Sequence, residues 1–273
     1  MTTHSVTGGA GHKLHVEESG NRDGKPLLFI HGFSQSRLAW RKQLASDLTR
    51  DFRLVAMDIR GHGLSDKPRD AYGDSAVWAQ DVHAVITTLG LHQPILVGWS
   101  YGGVIMSDYL SVFGDDAIAG TQWVGAVSRL GEPLVAPGFL GRDFLDLVPG
   151  FFSEQVADSV TTLQRFLRLC VHEEPSPEDF YFTLGYNTIV PPYVRAGLFA
   201  RNVNNDAVVR ATRKPVSLVY GEADQIVSPR MCTHLETLVP QAAVATYANV
   251  GHMPFWEAPE RFNRELRDFR NRA

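Results

Sequence analysis

A serine stands at position 100 within Val97–Gly103, V-G-W-S-Y-G-G, behind the apolar run Pro94–Leu96. A serine hydroxyl at its ordinary acidity is a poor nucleophile. It needs a base to take its proton and an acid to orient that base. Candidates for both lie late in the chain. His252, in N-V-G-H-M-P-F-W-E, follows a run of strand character and precedes a helical one. Asp224, in V-Y-G-E-A-D-Q-I-V, stands three residues past the glycine that closes its own apolar run, and Glu222 is the neighbouring alternative. Acyl transfer through such a serine also needs two fixed N–H donors for the oxygen that becomes negative. The backbone N–H of Tyr101 is one candidate. The other is the N–H of Phe33 in H-G-F-S-Q-S, where Gly32 leaves room for a close approach.

The remaining histidines are less suited. His31 reads as a structural hydrogen-bonder, His62 sits in a glycine turn, and His172 reads as a solvated helix end. No cluster of residues has metal-ligand spacing, so neither a metal nor a cofactor is expected.

These groups need a frame. The runs Pro26–Ile30, Arg53–Met57, Pro94–Val97, Gln122–Val127 and Val216–Tyr220 are short, apolar and closed by Gly, Asp or Ser, which suits parallel strands buried on both faces. Lys13–Ser19 alternates with period two and reads as a strand with one exposed face, and Ala243–Val250 is a further strand. Between them, Arg37–Leu48, Ala76–Leu89, Gly103–Val112, Pro229–Leu238 and Pro259–Phe269 have helical composition. The alternation predicts an α/β fold, a mostly parallel sheet with helices on both faces. In such sheets ligands bind beyond the carboxyl ends of the strands, where Ser100, Asp224 and His252 all fall.

One region breaks the rhythm. Residues 132–212 show no strand but several helices: Ser153–Val171 with Ser153 as N-cap, Ser176–Thr188 opening S-P-E-D, and Pro192–Ala200. They read as a helical lid inserted after the sixth strand, with 1–131 and 213–273 forming the core. Arg129, just before it, suits an interdomain ion pair or a contact to a substrate carboxylate.

Composition excludes other classes. The 273 residues are 44% hydrophobic and 21% charged, with a net charge of −4, so no basic surface favours nucleic acid. The longest apolar runs are far too short for a membrane span. Cys170 and Cys232 have neither disulfide-framework nor zinc spacing, and the N-terminal residues lack a signal-peptide pattern. A cytoplasmic protein is expected, of unspecified oligomeric state.

The segments H-G-F at 31–33, D-I-R-G-H-G-L-S-D at 58–66, G-W-S-Y-G-G at 98–103, G-E-A-D at 221–224 and G-H-M-P-F-W-E-A-P-E-R-F-N at 251–263 resemble the α/β-hydrolase superfamily over nearly the whole chain. Within it they resemble the branch of small esterases, cofactor-free haloperoxidase-like proteins, epoxide hydrolases and haloalkane dehalogenases. The resemblance implies eight strands, the chain order Ser100, Asp224, His252 for nucleophile, acid and base, and a tight structural turn at Asp58–Ser65.

Epoxide hydrolases and dehalogenases of this branch carry aspartate where this chain has Ser100. Serine favours acyl transfer, so the expected substrates are small, mostly apolar carboxylic esters. Lactones, including acyl-homoserine lactones, and perhydrolysis are the alternatives. A ligand receptor with a slow triad and a cofactor-free dioxygenase are further ones. The dioxygenase would want an acid after the sixth strand, where Ala126–Gly131 has none. Among the many aromatics of the lid, Phe139 and Phe152, with Phe33, Tyr101 and Met253, are expected to line the substrate cleft.

Overall fold

The computed structural model describes residues 1–273. Its strands are β1 (Thr2–Thr7), β2 (Lys13–Gly20), β3 (Lys25–Ile30), β4 (Phe52–Met57), β5 (Ile95–Trp99), β6 (Gly120–Val124), β7 (Arg129–Leu130), β8 (Val203–Asn204), β9 (Val216–Gly221) and β10 (Ala243–Tyr247). Eight of them form one sheet in the order β1-β2-β4-β3-β5-β6-β9-β10. The pairings β1–β2 and β2–β4 are antiparallel, and those from β4 through β3, β5, β6 and β9 to β10 are parallel. This is the expected α/β architecture.

Strands β5, β6 and β9 are buried along their whole length, as apolar runs covered on both faces must be. Strand β2 differs from its reading. On the face read as exposed, Lys13 is exposed and His15 and Ser19 half-exposed, but Glu17 is buried beneath Arg37, which donates to it; Glu18, on the other face, is buried beneath Arg53. A polar residue at a strand position marks either solvent or a buried ion pair, and the period alone does not separate the two.

The longer helices are α1 (Ser75–Thr88), α2 (Gly102–Phe113), α3 (Val156–Leu169), α4 (Pro177–Thr188), α5 (Pro192–Phe199), α6 (Arg230–Leu238) and α7 (Pro259–Arg272). Asp74 caps α1 by accepting from Ala76 N, and Ser176 caps α4 by accepting from Asp179 N. Ser153 is not the N-cap of α3; it accepts from Gln155 N in the turn before it, and the helix starts at Val156. The single helix expected over Arg37–Leu48 is broken into short turns. Ser46 Oγ donates to Gln43 O and accepts from Leu48 N, diverting backbone groups from a continuous ladder.

Helices α3, α4 and α5 lie between β7 and β9 in the chain. This stretch does contain a strand, β8, which pairs antiparallel with β7 and closes its two ends into one ribbon. The ribbon carries the one strong charge pair expected at this junction: Arg129 meets Asp206, its Nε donating to Oδ1 at 2.9 Å. Arg129 is therefore spent on an ion pair and not offered to a ligand. No helix is long and apolar enough to cross a membrane.

Candidate active site

Strand β5 delivers Ser100 directly into a turn, and α2 leaves from it. Ser100 has φ +56°, a left-handed conformation that costs a non-glycine residue energy and must be held by its surroundings. Its N–H donates to Val124 O at 3.0 Å, while its carbonyl accepts from Gly103 N at 3.0 Å and Val127 N at 3.3 Å. Glycine is required where α2 doubles back against the sheet: a Cβ on Gly102 would stand 2.5 Å from Ile30 O. Trp99 buries its ring beneath the turn, and its Nε1 donates to His252 O at 2.9 Å. The indole so ties the serine turn to the histidine loop.

His252 and Asp224 come from separate loops, beyond β10 and β9, and meet in the interior. His252 Nδ1 is 2.7 Å from Asp224 Oδ2, with both side chains essentially sealed from solvent. Asp224 Oδ1 accepts from Ile226 N at 2.8 Å and Val227 N at 2.9 Å, which fixes the carboxylate and leaves Oδ2 for the imidazole. Glu222 is solvent-exposed and is placed outside this arrangement. The histidine loop is fastened further by His252 N donating to Cys170 O at 2.9 Å. Glu257 accepts from both Gly251 N and His172 N, and burial raises its carboxyl above the ordinary range. His172 itself is exposed and contributes only backbone. Ser100 Oγ donates no hydrogen bond to His252.

The loop 31–36 closes the other side. A Cβ on Gly32 would lie 2.8 Å from Ser100 Cβ and 3.4 Å from its Oγ, so only glycine lets this backbone so near. The N–H groups of Phe33 and Tyr101 have no acceptor within the chain, although both residues are buried. Buried donors are nearly always paired, so two free ones beside one serine are an anomaly that an incoming oxygen would resolve. Two neutral histidines support the loop. His31 Nδ1 donates to Gly32 O at 2.9 Å while its Nε2 accepts from Ile59 N at 3.1 Å, and burial lowers its pKa to about 4. His62 accepts from Ser34 N, and burial pushes its pKa well down too. Asp58, in the turn after β4, accepts from Arg37 and from Leu64 N, a structural role.

A cleft open to solvent reaches Ser100 and is walled mostly by apolar side chains, as small-molecule sites usually are. Of its 14 lining residues 12 are hydrophobic, and Ser100 and Gly131 are the exceptions. Phe33 and Tyr101 line it, as do Val127, Leu198 and Phe199. Phe139, Phe152 and Met253 do not, and the reading of these three as cleft residues is corrected. Phe139 packs on His234 and under Arg129 at the ribbon. Phe152 meets the wall residue Phe199 edge-on. Met253 is buried in the core at the start of the turn Pro254–Glu257. Aromatic content marks a segment as well packed without telling which side of it faces the cavity.

Two buried arginines carried no signal of function in the sequence. Arg201 pairs with Asp108 on α2 and donates to the Tyr101 hydroxyl at 3.3 Å. Asp108 is pushed up to about 6 by burial, against the pull of Arg201. Arg195, on α5, donates to Ser34 Oγ at 2.9 Å. An arginine in a mixed helix reads as surface until the fold brings a partner to it.

The model for the alpha/beta hydrolase fold matches residues 25–259. The chain belongs to that family. It is an esterase-type hydrolase within it. It is similar over 99% of both chains, with 36% identity and a TM-score of 0.92, to the crystal structure of the esterase RhEst1 from a Rhodococcus species. It is 28% identical to the bifunctional esterase/perhydrolase DCH of Acinetobacter calcoaceticus, over 97% of this chain and 98% of that one. It is also 28% identical to the AB hydrolase superfamily protein YisY of Bacillus subtilis, over 94% and 95% of the two chains.

Proposed function

We propose that this hydrolase cleaves small, mostly apolar carboxylic esters through a covalent acyl-enzyme on Ser100. The observation that carries the reading is chemical contrast: Ser100 stands alone as a nucleophile on an otherwise apolar cavity wall, beside a buried carboxylate–imidazole pair. His252 takes the Ser100 proton as Oγ attacks the ester carbonyl. The C=O electron pair moves onto oxygen, which the Phe33 and Tyr101 N–H groups receive. Asp224 holds the imidazolium in register. Collapse expels the alcohol, which takes its proton from His252. Water then repeats the sequence on the acyl-enzyme and releases the acid.

No lysine or arginine lines the cavity, which favours uncharged acyl groups. Residues 132–212, read as a lid, supply Leu134, Phe144, Leu198 and Phe199 to the wall, so that segment would set acyl preference. Lactones and hydrogen peroxide would use the same acyl-enzyme, as the name of the Acinetobacter esterase/perhydrolase suggests for peroxide. Ala126–Gly131, after β6, holds no carboxylate to serve the dioxygenase alternative.

A chain-length series of p-nitrophenyl esters, alongside lactones and peroxide, tests the reading. Wild type is expected to turn over short uncharged esters repeatedly, and a fluorophosphonate probe to label Ser100. Ser100→Ala is expected to lose both, with roughly 10³-fold or greater loss of kcat. Full hydrolysis by Ser100→Ala removes the mechanism, and labelling without turnover favours a receptor.

A further inference from the structure

Among arginines less than 5% exposed, Arg60 and Arg201 sit against Asp81 and Asp108. Two have no carboxylate partner: Arg270 on the terminal helix, which donates to Gln93 O, and Arg195. Arg195 is the one that meets the loop beside Ser100. It is 1% exposed, forms no salt bridge, and is held only by neutral oxygens: Ser34 Oγ at 2.9 Å, Asn187 O at 2.8 Å and Ser159 Oγ at 3.5 Å. Burial depresses it to about 10, and no carboxylate opposes that fall. A buried cation without a counter-ion is costly, so its retention asks for a partner that the resting chain lacks.

Its position suggests one. Ser34, which it holds, follows Phe33 in the loop that passes over Ser100, and Ser34 itself is kept at φ +59°. The loop therefore has the unpartnered Phe33 N–H and, one residue on, a bond to an unpaired cation. His62, which accepts from Ser34 N, is also buried, and burial pushes its pKa well down, so it adds no second positive charge beside the arginine.

We infer that Arg195 is a positioning residue for the oxyanion: it fixes Ser34 and hence Phe33 N–H, and its charge is matched only when the substrate oxygen becomes negative. The inference rests on the acyl-transfer reading above. A fixed charge in a dry site favours the state in which charge develops, and it does so without tightening the neutral ground state. It therefore acts on kcat and leaves KM alone.

The test neutralises the charge in two ways. Arg195→Gln removes it, and Ser159→Glu places a carboxylate beside it from the half-exposed face of α3, with Ser159→Gln as the isosteric control. Short-chain p-nitrophenyl ester kinetics and inhibition by phenylboronic acid, which binds serine as a tetrahedral anion, are the readouts. Arg195→Gln and Ser159→Glu are each expected to lower kcat about 10-fold and weaken boronate inhibition about equally, with KM within about twofold. Arg195→Lys, which keeps the charge, is expected to recover most of the loss. If Arg195→Gln does not fold, Ser159→Glu against Ser159→Gln decides the matter. Unchanged kcat in Ser159→Glu, or a loss in Arg195→Lys as large as in Arg195→Gln, overturns the inference. Absence of wild-type ester turnover overturns the acyl-transfer reading and this inference with it, whereas wild-type turnover with indifferent variants overturns this inference alone.

Discussion

At the residue, the two carboxylates that follow β9 illustrate how little separates a solvent-facing side chain from a buried, paired one. Glu222 and Asp224 are two positions apart, yet Glu222 faces solvent and Asp224 is buried on His252. The carboxylate is worth most where water does not compete and where Ile226 and Val227 N–H already satisfy its second oxygen. An asparagine would keep those two bonds but could present an amide N–H to the imidazole and favour the wrong tautomer. Asp224→Asn is therefore expected to reduce kcat by roughly 10³- to 10⁴-fold with little change in thermal stability, and Glu222→Gln to stay within about twofold. Ester kinetics on the two variants, with thermal unfolding as a control, check this. The reverse ranking would move the acid role to Glu222.

At the level of elements, the loops that end β3, β5, β9 and β10 were legible because each follows an apolar run and carries a residue type with a chemical reason to be there. Ser100, Asp224, His252 and the glycines around them belong to that group. What escaped has a common cause: partners distant in sequence. Glu17 falls on the exposed face of a period-two strand but is covered by Arg37, and Arg195 carries no local signal of the bond it makes to Ser34. Strand β8 was missed because two residues carry no period. The 31–36 loop also makes a prediction at this scale. His31 is buried neutral with its pKa lowered from 6.5 to about 4, so the unfolded chain binds its proton more readily than the folded one between those values. Stability from this group is complete above pH 6.5 and is lost as pH falls toward 4, an amount of about 3 kcal/mol from the shift itself. His62 is lowered by the same cause and adds to the loss. Urea unfolding at stepped pH is expected to show the decline, and His31→Gln to flatten it; an equal slope in the variant would place the acid sensitivity elsewhere.

Across the whole molecule, the helical stretch after β7 is tied to the sheet at points spread over its length. Cys170 O accepts from the His252 backbone, Asp179 pairs with Arg41, Tyr193 reaches Lys67 O, Arg195 holds Ser34 and Arg201 pairs with Asp108. Residues 135–138 are the contrast, exposed and bonded only to their chain neighbours, although Val135 among them and Leu134 and Leu140 beside them line the cavity. A segment opens at its least-secured part, because local opening costs only the contacts that are broken there. Entry to Ser100 is thus expected to run past 132–138, with α3, α4 and α5 remaining docked and Phe139–Gly141 held by Ser228 N and Ile226 O. Hydrogen–deuterium exchange is expected to show residues 132–138 exchanging fastest in this stretch, with slow exchange in α3 and α5. Acylation of Ser100 by a fluorophosphonate should then slow exchange in 132–138 while leaving the three helices unchanged. Exchange of α3, α4 and α5 together as one unit, slowed together by the probe, would mean that the whole stretch swings and that these ties break in each turnover.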